Sequence, residues 1–271
     1  MAKRLISTGV GIIILLLVMI SNNIYIFNIA LTIISLIGIY EFYNAFKNKG
    51  IKPISLIGYI VTLGILFVNQ DFIFFNSEQI KNFLILALPV LILILFCKSV
   101  FSNMKSNIQD IAITIFGIIY IPYFLMFLTL TRQLEFGEYL VWYILFGAWV
   151  TDSFAYLVGT KFGKHKFSKI SPNKSIEGSI AGIIATAVAF GIYTQFLISR
   201  NVELNCAEMI FIGIIVSIIS QIGDLAASAI KRYCTIKDFG TIMPGHGGIL
   251  DRFDSIIMIS PFVYMFLQFL G

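Results

Sequence analysis

The feature that most constrains this chain is a series of long apolar segments separated by short polar connections. An apolar helix of about 20 residues spans the hydrocarbon core of a bilayer and satisfies its own backbone hydrogen bonds there. The segments lie at about 5–20, 24–40, 54–68, 82–97, 111–130, 139–159, 179–198, 207–230 and 255–270. The sequence therefore predicts an all-α polytopic membrane protein with about nine transmembrane helices.

The composition agrees with a chain dissolved in lipid. Hydrophobic residues make up 58% and charged residues 12% of the 271 residues, whereas soluble domains carry about 25% charged residues. At about 20 residues per span, the chain has no room for a separate soluble domain. We expect one integral membrane domain, in which 1–110 forms about four N-terminal helices and 111–271 forms the C-terminal helices with the catalytic site.

The positive charges are distributed as membrane topology requires. When nine spans are threaded through a bilayer, sixteen of the 19 Lys and Arg residues fall on one side, and only Lys81, Arg132 and Arg200 fall on the other. The basic side is cytoplasmic by the positive-inside rule, which predicts a cytoplasmic N-terminus and an outer C-terminus. The net charge of +5 is scattered between apolar segments, so we expect no nucleic-acid partner.

A polar stretch near the C-terminus interrupts the apolar pattern. Asp224 lies inside the segment 207–230, where an ionisable group costs about 2.5–3.5 kcal/mol, so a bound cation is the expected compensation. Asp251 and Asp254 are three residues apart at the start of the last segment and project together. The helix that contains Asp224 has a polar face with four residues: Gln221, Asp224, Ser228 and Lys231.

These carboxylates predict a metal site with oxygen ligands, formed by Asp224, Asp251 and Asp254. Mg²⁺ is favoured over Zn²⁺ because the three cysteines are far apart and no Cys/His cluster has metal-ligand spacing. We expect one or two cations at this site. Basic side chains beside the carboxylates would take phosphate oxygens, and the stretch has four of them: Lys231, Arg232, Lys237 and Arg252.

Other polar residues extend the candidate site. Asp152 lies in the cytoplasmic third of its predicted helix, and Lys174 would reach phosphate from the rigid start of a helix after the longest cytoplasmic connection. We expect Glu41 to be an interfacial anchor and His165 a solvated loop residue. Close approach of the backbone to phosphate is expected in the glycine-rich loop, at Gly245, His246, Gly247 and Gly248.

Three motifs carry a family resemblance. They are Ser228-x-x-Lys231-Arg232, then Lys237-Asp238-Phe239-Gly240, then PGHGGILDRFD at 244–254. Together they resemble the C-terminal signature of the phosphatidate cytidylyltransferases, also called CDP-diacylglycerol synthases, and 171–178 (SPNKSIEG) resembles a second motif of that family. Met243 stands where the family pattern has Leu, Ile or Phe, which changes only the shape of an apolar side chain.

The resemblance implies Mg²⁺-dependent transfer of the cytidylyl group from CTP to phosphatidic acid, which gives CDP-diacylglycerol and pyrophosphate for phospholipid biosynthesis. It also implies a homodimer in the cell membrane with its active site facing the cytoplasm. Residue chemistry and motifs together predict the catalytic residues Asp224, Lys231, Arg232, Lys237, Asp238, Asp251 and Arg252. The predicted substrate-binding residues are Asp152, Lys174, Ser175, Glu177, Gln221, Ser228, Gly245, His246, Gly247 and Gly248.

Two alternatives stay open from the sequence. A transporter would also carry intramembrane carboxylates, but it would favour acids near the midplane and inverted repeats, whereas here the acids cluster on one side and no repeat is evident. A nearer alternative is another membrane enzyme that uses CTP, acting on a polyprenol or an archaeal lipid. The CDP-alcohol phosphotransferases are disfavoured because the chain lacks their Asp-Gly-x-x-Ala-Arg pattern.

Overall fold

The computed structural model describes residues 2–68, 77–101, 106–166, 171, 174–242 and 247–270. Within these ranges the regular structure is helical, and the remaining pairing is one isolated bridge between Lys166 and Ser175. The predicted all-α class is therefore confirmed. The elements are α1 (Ala2–Ile20), α2 (Ile24–Lys47), α3 (Ser55–Val68), α4 (Ser77–Phe101), α5 (Ile108–Ile118), a π-helical turn (Ile119–Tyr123), α6 (Phe124–Arg132), α7 (Gly137–Leu140), α8 (Trp142–Phe162), α9 (Ile176–Ile198), α10 (Cys206–Tyr233) and α11 (Leu250–Leu270).

Length and hydropathy identify the helices that can cross a membrane. Within the described residues, five helical segments meet both requirements: Ile24–Lys47, Ile108–Arg132, Gly137–Phe162, Ile176–Ile198 and Cys206–Tyr233. Large apolar side chains such as Ile192 and Phe211 are more than 60% exposed on these segments, as expected of surfaces that face lipid. The chain is an integral membrane protein, while the total of nine spans and the orientation of the termini stay predictions.

Polar residues in the connections determine where several helices begin. The side chain of Asn23 accepts the N–H groups of Tyr25 and Ile26 at the start of α2, and Asn205 accepts the N–H of Ala207 at the start of α10. Such side chains replace the hydrogen bonds that the first turn of a helix lacks. The helices therefore start close to the edges of the apolar segments.

Small residues bring α8, α9, α10 and α11 close together. A β-carbon at Gly147 or Gly182 would collide with a neighbouring helix, and one at Gly213 would lie only 3.0 Å from Phe190 of α9. The Thr151 hydroxyl lies 2.7 Å from that of Thr186 and 2.9 Å from that of Ser217, which joins three helices inside the bundle. Close packing and hydroxyl hydrogen bonds are the usual means of helix association in lipid. These four helices carry most of the predicted site.

The N-terminal helices attach to this group through α2. Tyr43 donates a hydrogen bond to the carbonyl of Thr114 (2.8 Å), which ties α2 to α5. Gly38 lies in contact distance of Ile121 in the π-helical turn and of Leu250 in α11. Helix α2 is thus packed against both the middle and the end of the chain. The division of the domain near residue 110 stays a prediction.

The segment predicted at 111–130 is one long helix interrupted by the π-helical turn. Pro122 lies inside this turn. Proline lacks an N–H and its ring collides with the carbonyl four residues earlier, so the regular α-helical pattern cannot continue unchanged. The turn displaces the residues around it by part of a helical step, and it places Tyr120 in the protein interior, where it is 4% exposed.

The predicted orientation can be tested by cysteine labelling. In a variant with Cys97, Cys206 and Cys234 replaced by alanine, single cysteines would be introduced as Lys49→Cys and Arg200→Cys, because both positions are exposed and belong to opposite predicted sides. A membrane-impermeant maleimide should label Arg200→Cys in intact cells and Lys49→Cys only after permeabilisation. Labelling of Lys49→Cys in intact cells would contradict the topology.

Candidate active site

Three carboxyl groups from three helices lie near one another at one end of the bundle. Asp152 of α8, Asp224 of α10 and Asp254 of α11 all lie within electrostatic range of one another. The hydroxyl of Ser255 donates to Asp152 Oδ2 at 3.4 Å. Asp254 is 8% exposed, whereas Asp152 is exposed, so the carboxylate cluster, as we name these three aspartates, opens toward the surface on the α8 side. The sequence placed these acids at a similar depth, and the fold brings them together.

Lys174 extends from the start of α9 to this cluster. Its Nζ forms an ion pair with Asp224 Oδ2, and both side chains are about one-quarter exposed. Within the described residues, Asp152 and Asp254 take part in no ion pair. Three carboxyl groups thus lie beside one paired ammonium, an arrangement suited to binding a further cation.

Asp251 has a different environment from the carboxylate cluster. Its Oδ1 pairs with Lys231 Nζ at 2.7 Å, and its Oδ2 accepts the N–H groups of Phe239 (2.8 Å) and Gly248 (3.0 Å). The Asp251 side chain is 4% exposed, and Lys231 also lies 5.4 Å from the ring centre of Phe239. Asp251, at the start of α11, therefore fastens the loop to the last turns of α10. A metal ion bound to Asp251 would have to compete with these three existing bonds. The predicted role of Asp251 as a metal ligand stays a prediction.

Glu41 of α2 binds the end of the same loop, which leads from α10 to α11. It is 2% exposed and accepts the N–H groups of Ile249 (3.1 Å), just before α11, and of Leu250 (2.9 Å), the first residue of α11. The prediction that Glu41 is an interfacial anchor is therefore wrong, because its carboxylate is buried. A signal was present in the sequence, since a carboxylate inside an apolar segment requires compensation. What the sequence could not show was its partner, which lies more than 200 residues away.

The same carboxylate explains two glycines of the signature. A side chain at Gly240 or Gly248 would collide with the Glu41 carboxylate. Gly247 adopts φ +86°, a conformation that favours glycine. Gly248 was predicted to approach phosphate, but here its N–H donates to Asp251 and its α-carbon makes room for Glu41. The predicted contacts of Gly245 and His246 lie outside the described residues.

Several predicted substrate-binding residues make contacts within the protein. Ser175 caps α9 by accepting the N–H of Gly178 (3.2 Å), and the hydroxyl of Ser179 donates to the side-chain oxygen of Gln221. Glu177 accepts the N–H groups of Lys164 and His165 and pairs with the His165 ring at 2.6 Å. The side chains of Ser175, Glu177 and Gln221 thus have partners within the protein. His165 is 74% exposed, as expected, but it is held in place by Glu177.

The remaining predicted residues surround the loop at the surface. Ser228 and Gly247 are partly exposed. Four charged residues are exposed on the same stretch: Arg232, Lys237, Asp238 and Arg252. Exposed guanidinium and ammonium groups near a carboxylate cluster are suited to phosphate oxygens. The geometry thus brings acidic and basic side chains to one end of the bundle.

Comparison with known proteins assigns this arrangement to a family. The sequence profile of the cytidylyltransferase family matches residues 2–270. The chain belongs to this family. It is 32% identical over 267 residues to the phosphatidate cytidylyltransferase of Bacillus subtilis (strain 168), with 98% of this chain and 97% of the relative covered. The enzyme of the same name from Staphylococcus aureus (strain COL) is 31% identical over 268 residues, with 98% and 99% covered.

A further relative, the phosphatidate cytidylyltransferase of Staphylococcus haemolyticus (strain JCSC1435), is 36% identical over 192 residues, which cover 70% of this chain and 72% of the relative. The predicted resemblance is thus confirmed, and this cytidylyltransferase family member is an enzyme of the nucleotidyltransferase class. The family assignment also decides against the transporter that the sequence left open.

The oxygen donors of this site fit a hard cation whose coordination shell is completed by water and substrate. Within the described residues, no group of three or more His, Cys, Asp or Glu side chains forms a ready-made metal cage. Mg²⁺ does not need one, since it commonly binds one or two carboxylates together with water and substrate phosphates. Asp224, Asp254 and Asp152 supply oxygen donors of that kind.

Removing the Glu41 carboxylate should weaken the loop that carries Asp251. Glu41→Ala leaves the N–H groups of Ile249 and Leu250 without their acceptor, and each hydrogen bond to a charged group contributes about 1.5–3 kcal/mol. We expect a thermal midpoint in detergent that is lower by several degrees. The matched control is Glu203→Ala, an exposed carboxylate in a connection, which should change the midpoint little. Equal midpoints for the two variants would contradict the role of Glu41.

Proposed function

We propose that this protein transfers the cytidylyl group of CTP to phosphatidic acid and releases pyrophosphate. The observation that carries the proposal is the carboxylate cluster of Asp152, Asp224 and Asp254, with Lys174 paired to it. The relatives named phosphatidate cytidylyltransferase support the choice of substrates. The product is CDP-diacylglycerol, a precursor of phospholipids.

The substrates themselves supply the nucleophile. A phosphate monoester has a second pKa near 6, so phosphatidic acid is largely dianionic at neutral pH. One of its oxygens attacks the α-phosphorus of CTP, a new P–O bond forms, and the bond to the β-phosphate oxygen breaks as pyrophosphate leaves. No serine or cysteine nucleophile is required. The task of the protein is to hold two polyanions together in line.

Asp224, Asp254 and Asp152 would hold one or two Mg²⁺ ions, which when bound offset the charge of the triphosphate and favour the departure of pyrophosphate. Lys174 is placed to move between Asp224 and a phosphate oxygen, because both partners are negative and the lysine side chain is partly exposed. Arg232, Lys237 and Arg252 would bind further phosphate oxygens, the arginines in bidentate geometry.

A lipid substrate also needs a lateral entrance. Asp152 is exposed, and Tyr156, one helical turn further along α8, is 70% exposed. This face of α8 offers a route by which a phosphate headgroup can reach the carboxylate cluster while the acyl chains stay in the bilayer. We place the site at the cytoplasmic leaflet of the cell membrane, because the surrounding connections are rich in Lys and Arg. A homodimer is part of the same proposal.

The assay uses purified full-length protein in mixed micelles with radiolabelled CTP, phosphatidic acid and Mg²⁺. We expect CDP-diacylglycerol and pyrophosphate in equal amounts, and no product when EDTA is present. Polyprenyl phosphate and an archaeal ether-lipid phosphate, each offered in place of phosphatidic acid, test the nearer alternative. If either supports turnover while phosphatidic acid does not, the substrate assignment is wrong.

Two carboxylate variants should separate catalysis from loop structure. Asp224→Asn removes a charge from the cluster, so we expect activity at least about 100-fold lower with an unchanged thermal midpoint. Asp251→Asn weakens the bonds to Lys231, Phe239 and Gly248, so we expect loss of activity together with a lower midpoint. Glu203→Gln is the matched control and should retain activity. Activity near the wild-type value in Asp224→Asn would contradict its ligand role.

A further inference from the structure

The hydroxyl of Tyr120 is buried in the protein. Tyr120 is 4% exposed, and its ring stacks on that of Phe116, with 5.6 Å between centroids and 7° between planes. Within the described residues, the Tyr120 hydroxyl forms no hydrogen bond. A buried tyrosine hydroxyl normally has a partner, because desolvation without one costs free energy. The Tyr120 hydroxyl is therefore a buried donor whose partner is missing among the described residues.

Tyr120 differs from the other buried side chains with an unpaired polar atom. Ser35 and Ser220 lie in helices, where a serine hydroxyl can rotate toward the carbonyl of the preceding turn. Asn28 has one unpaired nitrogen, but its side-chain oxygen accepts the hydroxyl of Thr129 at 2.8 Å. A tyrosine hydroxyl is too far from its own backbone for such a bond. Its partner must come from another part of the site or from a ligand.

The surroundings of Tyr120 point to the carboxylate cluster. Tyr120 lies within electrostatic range of Asp254 and Asp224. It belongs to the π-helical turn Ile119–Tyr123, which packs against α11. Interruptions of this kind occur frequently at functional sites. The hydroxyl forms no hydrogen bond with either aspartate, so its donor is available to a third group that binds between them.

We propose that the Tyr120 hydroxyl donates a hydrogen bond to a phosphate oxygen of a substrate bound at the carboxylate cluster. This inference rests on the proposed function and adds a substrate-binding residue from outside the signature motifs. A neutral donor is suited to this position, because it attracts an anionic oxygen without neutralising the aspartates that hold the cation. The phosphate belongs either to the nucleotide or to the lipid, and the chemistry is the same for both.

The test is Tyr120→Phe, which removes the hydroxyl and keeps the ring. We expect kcat/KM to fall about 10- to 100-fold, the size of one hydrogen bond to a charged group. We expect a thermal midpoint equal to or above that of the wild type, because the variant no longer buries an unpaired hydroxyl. The matched control is Tyr193→Phe, whose hydroxyl donates to the carbonyl of Tyr139 at 2.9 Å. It should show the opposite pattern, with retained activity and a slightly lower midpoint.

Two further measurements identify the phosphate. If the partner is the nucleotide, Tyr120→Phe raises KM for CTP and reduces the midpoint increase that CTP with Mg²⁺ produces in the absence of lipid. If the partner is the lipid phosphate, KM for phosphatidic acid rises and the CTP-induced increase is unchanged. Wild-type kinetics in Tyr120→Phe, or a lower midpoint that accompanies the loss of activity, would overturn the inference. An inactive wild-type protein would instead refute the proposed function.

Discussion

The site depends on the packing of four helices, which holds three aspartates near one another. Asp152, Asp224 and Asp254 come from different helices and lie within electrostatic range of one another. Like charges at such separation destabilise each other in a medium of low dielectric constant. The close packing of α8, α9, α10 and α11 through glycine and hydroxyl contacts resists this repulsion. The packing of the bundle thus assembles the carboxylate cluster.

Two other carboxylates have the opposite role. Glu41 and Asp251 are buried, and each accepts two backbone N–H groups. Together they bind the loop between α10 and α11 from two sides, Glu41 from α2 and Asp251 from the first turn of α11. Carboxylates whose oxygens accept hydrogen bonds from the protein stabilise the loop. Carboxylates with few such bonds have oxygens that can bind a ligand. This difference in hydrogen bonding distinguishes Glu41 and Asp251 from the three acids of the carboxylate cluster.

Helix α2 connects the N-terminal region to the chemistry. Its Glu41 caps α11, and its Gly38 allows close contact with Ile121 and Leu250. The π-helical turn, which also packs against α11, brings Tyr120 toward the cluster. The signature motifs near the C-terminus therefore do not form the site alone. Glu41 of α2 supports the loop, and Tyr120 from the middle of the chain lies near the carboxylate cluster.

The helical class, the membrane setting, the family and most of the candidate residues could be predicted from the sequence, because hydrophobic segment length and a dense local motif are properties of neighbouring residues. The functions of individual residues could not be predicted equally well. Gln221 shares a helical face with Asp224, yet it bonds to Ser179 of α9, and Glu177 binds the backbone before α9. Which partner a polar side chain finds depends on distant helices, and spacing along one helix contains no information about them.

The sequence by itself determined that this chain is a helical membrane protein of the cytidylyltransferase family, since apolar length and motif identity need no long-range contact. Only the tertiary structure decided that Asp152 joins Asp224 and Asp254, that Asp251 fastens the loop, and that Glu41 caps α11. The physical reason is that a buried carboxylate is defined by the donors and charges around it. Those come from helices that are as many as 209 residues apart in the chain.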